Sequence, residues 1–311
     1  ISGQDGQAIA QKAEQLLSRA NTKGMLQRIS WECAKEYLAS DPARLAFIVN
    51  DEDQLIKKLT KLSTLIKANP TTAFIHPDGS AFGLGQQKGK VAFVFPGQGS
   101  QYLNMGSELA MQFDDAMNAW ERTGFVEMDG ETMISDIVFP PPRFNDDDVK
   151  ADKSKLQATQ WAQPALGATS LSYLAMMRAF GVQASTCAGH SFGEVSALHA
   201  AGVLSEEEML EIARKRGMLM AETSDIPGAM TAVSASIEKV SYVLNASNRT
   251  DVVVANHNTP NQVVISGSVE GVKIVEGLFK NEGVTIKSLP VSTAFHSPIV
   301  AASSAPFGEF L

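Results

Sequence analysis

The stretch "ASTCAGHSFGEVSAL", residues 184–198, reads as a strand, a tight turn and the start of a helix. "ASTCA" at 184–188 suits a strand, and Gly189-His190-Ser191-Phe192-Gly193 then fits G-x-S-x-G. A serine in that context sits at a sharp, strained elbow, and glycines flank it because the turn leaves no room for a Cβ. Free N–H groups in the first turn of the following helix can receive a developing oxyanion. The alternative is a glycine-rich turn with an incidental serine, and five loosely specified positions do not separate the two.

Working outward, "KVAFVF" at 90–95 is almost wholly apolar and is predicted to be a strand buried on both faces of a parallel sheet. It runs into the tight turn "PGQGSQ". Helical patterns follow at 101–122, at 163–179 with Pro164 near the first turn, and at 206–223. From 229 the pattern becomes strand, helix, strand, strand, helix, strand, a βαββαβ order that defines a ferredoxin-like unit. "STAFHSP" at 292–298 then precedes another helix, so this unit reads as an insertion. Upstream, 5–20, 24–39 and 51–68 carry helical spacing, while 44–49 and 71–76 read as short strands. The glycine-rich segment 77–90 places a domain boundary near 88.

The 311 residues, 44% hydrophobic and 19% charged, have ordinary globular composition. A net charge of −8 opposes a nucleic-acid surface or an anionic membrane patch. Two cysteines, Cys33 and Cys187, make no disulfide framework, and no apolar run approaches the roughly 20 residues of a membrane span. A soluble, cytoplasmic protein without nucleic-acid or membrane partners is the expectation. The start at "ISGQDGQ" suggests a piece of something longer.

A serine nucleophile needs a base, and the chain has five histidines. His76 lies outside the second unit, His199 on the helix after the elbow suits ordinary packing, and His257 in "ANHNTPN" reads as a loop residue. His190 is adjacent to Ser191, but neighbouring side chains at a sharp turn diverge, so it is read as lining the site. His296, where the chain returns from the insertion, can reach the mouth of the sheet and is the candidate base. A second signal is Arg216. At about 100° per residue, Met209, Ala213, Gly217 and Met220 share a helix face and Arg216 falls near its centre. A guanidinium there needs an anion: an internal carboxylate, or a substrate carboxylate gripped bidentately.

Seven segments in one order carry a family resemblance: "FVFPGQGSQ" (93–101), "TQWAQPAL" (159–166), "GHSFGE" (189–194), "ARKRG" (213–217), "PGAMTAV" (227–233), "ANHNTPNQVVISG" (255–267) and "TAFHSP" (293–298). Together they resemble the malonyl-CoA:acyl-carrier-protein acyltransferases, above all the acyltransferase domains of polyketide and polyunsaturated-fatty-acid synthases. The resemblance implies an acylated Ser191, with His296 as general base and the backbone N–H groups of Gln98 and Phe192 as the oxyanion hole. It implies that Arg216 binds the free malonyl carboxylate, with Gln163 lining the site. A phenylalanine before the catalytic histidine, here Phe295, accompanies malonyl rather than methylmalonyl in such synthases. Thr293 departs from the common "HAFH" and resembles the polyunsaturated-fatty-acid and related iterative synthases.

The implied fold is α/β. An α/β-hydrolase-like parallel-sheet main subdomain (88–226 and 292–311) carries an inserted ferredoxin-like subdomain (227–291), and a small α+β linker domain (1–87) of the ketosynthase-to-acyltransferase type precedes it. The implied reaction passes malonyl from malonyl-CoA to the phosphopantetheine thiol of an acyl carrier protein, with no permanently bound cofactor and no metal. A ketosynthase in the same polypeptide is the expected neighbour. Relatives continue past the position of Leu311 with elements that close the main domain and orient the histidine, so a chain of 1–311 is expected to be poorly stable. Two other readings remain open from the residues themselves, an α/β-hydrolase-type thioesterase and an inactive scaffold domain of a megasynthase.

Overall fold

The computed structural model describes residues 1–85, 89–125, 132–222, 226–289, 291 and 293–311. The expected boundaries near 88 and at 292, and the expected helix end at 223, lie outside the described residues. The chain forms two compact units, Ile1–Gly89 and Lys90–Leu311.

The first unit contains β1 (Ser2–Gly3), α1 (Gly6–Ala20), α2 (Met25–Glu36), β2 (Ala43–Ala46), α3 (Glu52–Ala68), β3 (Phe74–Ile75) and β4 (Ala81–Leu84). Asp5 and Asp51 cap α1 and α3 by accepting from Ala8 N and Gln54 N, which satisfies helix-start donors. The two helices bury Ile9, Leu62 and Ile66 against Leu45 and Phe82 of a sheet ordered β1-β2-β4-β3. Here the structure corrects the sequence reading: β4 lies inside the segment read as a glycine-rich loop. Its pairing with β2 and β3 is antiparallel, and that non-local pairing, with Phe82 buried, outweighs the weak strand preference of "AFGL".

The second unit opens with β5 (Ala92–Phe95), then α4 (Ser107–Gln112), α5 (Asp114–Glu121), α6 (Ile134–Val138), α7 (Asp146–Gln157), α8 (Thr159–Ala179), β6 (Thr186–Gly189), α9 (Gly193–Ala200) and α10 (Glu206–Ala221). The single pattern expected over 101–122 is two helices, because Phe113 between them takes extended dihedrals of φ −132° and ψ 123°. Pro164 is not in a first turn. The helix begins at Thr159, so Pro164 lies in its interior.

β5 and β6 pair in parallel, Ala92 against Thr186 through Phe95 against Gly189. Phe93, Phe95 and Cys187 face Leu174, Ala197 and Ala200, forming a small apolar cluster. The expectation that β5 is buried on both faces fails. Val94 is 77% exposed, because among the described residues the helices cover only the face that carries Phe93 and Phe95. Beside this sheet, Trp120, Leu171, Phe192, Met209 and Leu210 belong to the main core.

The inserted subdomain follows as β7 (Gly228–Val233), α11 (Ile237–Ser247), β8 (Val252–Thr259), β9 (Gln262–Ser268), α12 (Val269–Asn281) and β10 (Ile286–Ser288). Its sheet is antiparallel in the order β10-β7-β9-β8, the βαββαβ arrangement read from the pattern. One face is covered by α11 and α12 through Val240, Val243, Val275 and Phe279. His257 is a strand residue rather than a loop residue: β8 continues to Thr259, which pairs with Gln262 across a two-residue turn. The chain ends in a short 3₁₀ turn, Pro298–Ser303, and α13 (Ser304–Phe310).

Candidate active site

The elbow is built by backbone geometry before any chemistry enters. Ser191 has φ 53°, a left-handed conformation that non-glycine residues seldom adopt and that marks stored strain at functional turns. A Cβ on Gly189 would sit 2.0 Å from the Gly193 carbonyl carbon, and one on Gly193 would sit 2.1 Å from the Phe95 carbonyl oxygen. Both glycines are required by close approach of backbone. Gly189→Ala is therefore expected to cost about 3 kcal/mol or more of stability, measured as a lowered midpoint in chemical denaturation. Phe192, the next residue, has a completely buried side chain that anchors the elbow in the main core.

Ser191 Oγ and His296 Nε2 lie 2.9 Å apart although 105 positions separate them in the chain. His296 also has positive φ, 55°, so both partners are held in sparsely populated backbone conformations. His296 is open to the cleft. Its pKa nevertheless lies below the usual histidine value of 6.5, chiefly because of partial desolvation, then because of the nearby charge of Arg216 and the proximity of His190; Glu194 opposes the shift. An imidazole held this way is neutral, and so able to take a proton, over a wider pH range.

Arg216 reaches the site because α10 approaches the start of α8 closely. A Cβ on Gly217 would lie 2.8 Å from the Thr159 carbonyl oxygen, so only glycine permits this approach. The adjacent Arg216 then donates from Nη1 to Gln163 Oε1 at 2.8 Å. Gln163 is 1% exposed, and its Nε2 contacts Met220 Sδ at 3.5 Å, which holds the amide in one orientation. Burial lowers the Arg216 pKa and Glu194 raises it, yet an arginine remains cationic under all ordinary conditions. Among the described residues Arg216 makes no salt bridge, so the internal ion pair considered from sequence is absent there.

A cleft of about 930 Å³ gathers these groups. Gln98, Gln163, His190 and Ser191 line it, as do Arg216, Phe295 and His296. Phe192 lies beneath the wall rather than on it, its side chain buried in the main core. The Gln98 side chain donates to Thr159 Oγ1 at 3.1 Å and ties the turn after β5 to the start of α8. Among the described residues the backbone N–H groups of Gln98 and Phe192 donate to no protein acceptor. His199 is packed away with Nδ1 2.9 Å from the Leu204 carbonyl, as its helical position suggested.

Two site residues received no role from sequence reasoning. Glu194, last in "GHSFGE", bears electrostatically on both His296 and Arg216. Asn258, inside "ANHNTPN", lines the cleft and lies 3.2 Å from His190 Nε2 through its Oδ1. The signal for Glu194 was its position one turn after Ser191, whereas Asn258 depends on how β8 pairs with β9. Among the described residues no helix is long and apolar enough to cross a membrane, and no His, Cys, Asp or Glu cluster is arranged to hold a metal.

Comparison with known proteins places the chain among acyltransferases. The malonyl CoA-acyl carrier protein transacylase of Bacillus subtilis is 35% identical over 231 residues, covering 71% of this chain and 68% of that protein. The polyketide synthase GfsB of Streptomyces halstedii is 32% identical over 311 residues, covering 99% of this chain, which spans only 5% of that synthase. A solved malonyl-transacylase, in complex with the acyl-carrier protein of a type II polyketide synthase, superposes with a TM-score of 0.64 at 29% identity, covering 71% of this chain and 69% of that one. The acyl transferase domain family matches residues 92–306, from the first strand of the second unit through the elbow, Arg216 and His296. The chain therefore belongs to the acyl transferase domain family.

Proposed function

We propose that the chain moves a malonyl group from malonyl-CoA to the phosphopantetheine thiol of an acyl carrier protein through an ester on Ser191. The observation that carries this reading is a Ser191 Oγ to His296 Nε2 distance of 2.9 Å in the same cleft as a guanidinium without a carboxylate partner among the described residues. His296 Nε2 takes the Oγ proton as Oγ bonds to the thioester carbonyl carbon. The resulting oxyanion faces the N–H groups of Gln98 and Phe192, each contributing about 3 kcal/mol to the barrier reduction. Collapse breaks the carbon–sulfur bond, and the departing coenzyme A sulfur receives the proton from His296.

The second half runs in reverse. His296 takes the proton of the carrier thiol, the sulfur attacks the serine ester, and Ser191 leaves with the proton returned to it. No metal or permanently bound cofactor enters any step. Arg216, with its plane fixed by Gln163, grips the free carboxylate of the acyl group, a task for which a thioesterase reading has no use. Phe295 on the cleft wall favours malonyl over its 2-methyl analogue, a discrimination of about 1–3 kcal/mol for one methyl group. The setting we infer is a polyketide or fatty-acid type synthase in the cytoplasm. The first unit there serves as the linker domain to a neighbouring ketosynthase, and the inserted subdomain spans 227–291.

Arg216→Ala is expected to lower kcat/KM for malonyl-CoA roughly 10²- to 10³-fold, since a buried charged hydrogen-bond partner is lost, while acetyl-CoA is affected far less. Competition assays with the two acyl-CoAs check this, and equal losses for both would remove Arg216 from the carboxylate site. The function itself is tested with labelled malonyl-CoA. Acyl label on the protein should discharge faster to carrier protein than to water, and rapid hydrolysis regardless of carrier would instead identify a thioesterase.

A further inference from the structure

A polar contact joins the inserted subdomain to the elbow. His190 Nε2 lies 3.2 Å from Asn258 Oδ1, and Asn258 Nδ2 donates to Gln262 Oε1 at 3.3 Å. The pairing of β8 with β9 shifts register between His257 and Thr259, so Asn258 has no partner in the ladder. Such irregularities bend a strand and re-aim a side chain, and they concentrate beside active sites. With Asn258 Nδ2 committed to Gln262, Oδ1 faces His190 and accepts a hydrogen bond from Nε2–H. His190 Nδ1 then lies on the side of Gly97, where a Cβ would come within 3.2 Å of it.

A second imidazole next to a nucleophilic serine is a hazard. If its ring turned toward Oγ it would compete with His296 for the hydroxyl proton, and the two bases are not equivalent in reach or orientation. Among the described residues Ser191 Oγ bonds to His296 alone. We propose that Asn258 is a positioning residue: by accepting a hydrogen bond from His190 Nε2–H it holds that imidazole off the nucleophile and couples the inserted subdomain to the elbow. The proposal rests on Ser191 being the acylated residue. It adds a task for the β8–β9 hairpin beyond lining the cleft.

The test is nitrogen NMR of ¹⁵N-histidine-labelled protein at alkaline pH, with the His190 signals identified by their loss in His190→Gln. The wild type should show His190 protonated at Nε2 and bare at Nδ1. Asn258→Ala should lose that single-tautomer signature and slow Ser191 acylation by malonyl-CoA about three- to tenfold, the weight of one hydrogen bond. Asn258→Asp, which keeps an acceptor and cannot donate, should retain the Nε2–H signature. A wild-type His190 protonated at Nδ1, an unchanged signature in Asn258→Ala, or a changed signature with an unchanged acylation rate each overturns the proposal. The tautomer readout needs no acyl substrate, so a wild-type protein that fails to acylate would count against the proposed function separately.

Discussion

Replacing Ser191 with alanine is expected to lower acyl transfer by about 10⁴-fold or more, because removing the proposed nucleophile removes both half-reactions together. No other hydroxyl is within hydrogen-bond distance of His296 Nε2 among the described residues. Alanine carries the same Cβ into the same left-handed backbone, so the fold should tolerate the change and the thermal midpoint should move little. Transfer assays with carrier protein measure the loss. Residual transfer within tenfold of the wild type, from protein with an unaltered melt, would mean that Ser191 is an ordinary turn residue.

His296→Ala removes the proposed base but leaves Ser191 and the proposed oxyanion donors, so a smaller loss of about 10²–10⁴ in rate is expected. The wild-type pH profile makes the assignment specific. In the proposed mechanism acylation requires neutral His296, so kcat/KM rises with pH through the pKa of that group. Because desolvation, Arg216 and His190 hold the pKa below 6.5, the acid limb should lie below that value. Arg216→Ala removes a charge that disfavours the imidazolium and admits water, and both changes move the limb to higher pH. A limb that stays in place in Arg216→Ala, or that persists in His296→Ala, would show that another group titrates.

The sequence made some of this legible for identifiable reasons. A sharp turn demands glycines at 189 and 193, and the backbone distances there show why. Helical periodicity placed Arg216 on an apolar face, and nothing but the approach of α8 was needed to give it Gln163 as a partner. His296 emerged from the requirement for a base and the return of the chain from the insertion. What the sequence concealed depends on non-local pairing. β4 is a strand because β2 and β3 flank it, and β8 runs through His257 because β9 pairs there. The helix of Pro164 begins earlier than its apolar spacing suggested, since Thr159 and Gln160 pack closely on Gly217. The part played by Asn258 was invisible for the same reason, as a register shift exists only once two strands are paired.

Acylation of Ser191 is read most directly by peptide mapping with mass spectrometry after the protein is mixed with equal malonyl-CoA and acetyl-CoA, without carrier protein. A malonyl ester is expected on the peptide that carries Ser191, lost in Ser191→Ala, with acetyl a minor species. No adduct on that peptide, or acetyl in excess of malonyl, would contradict it.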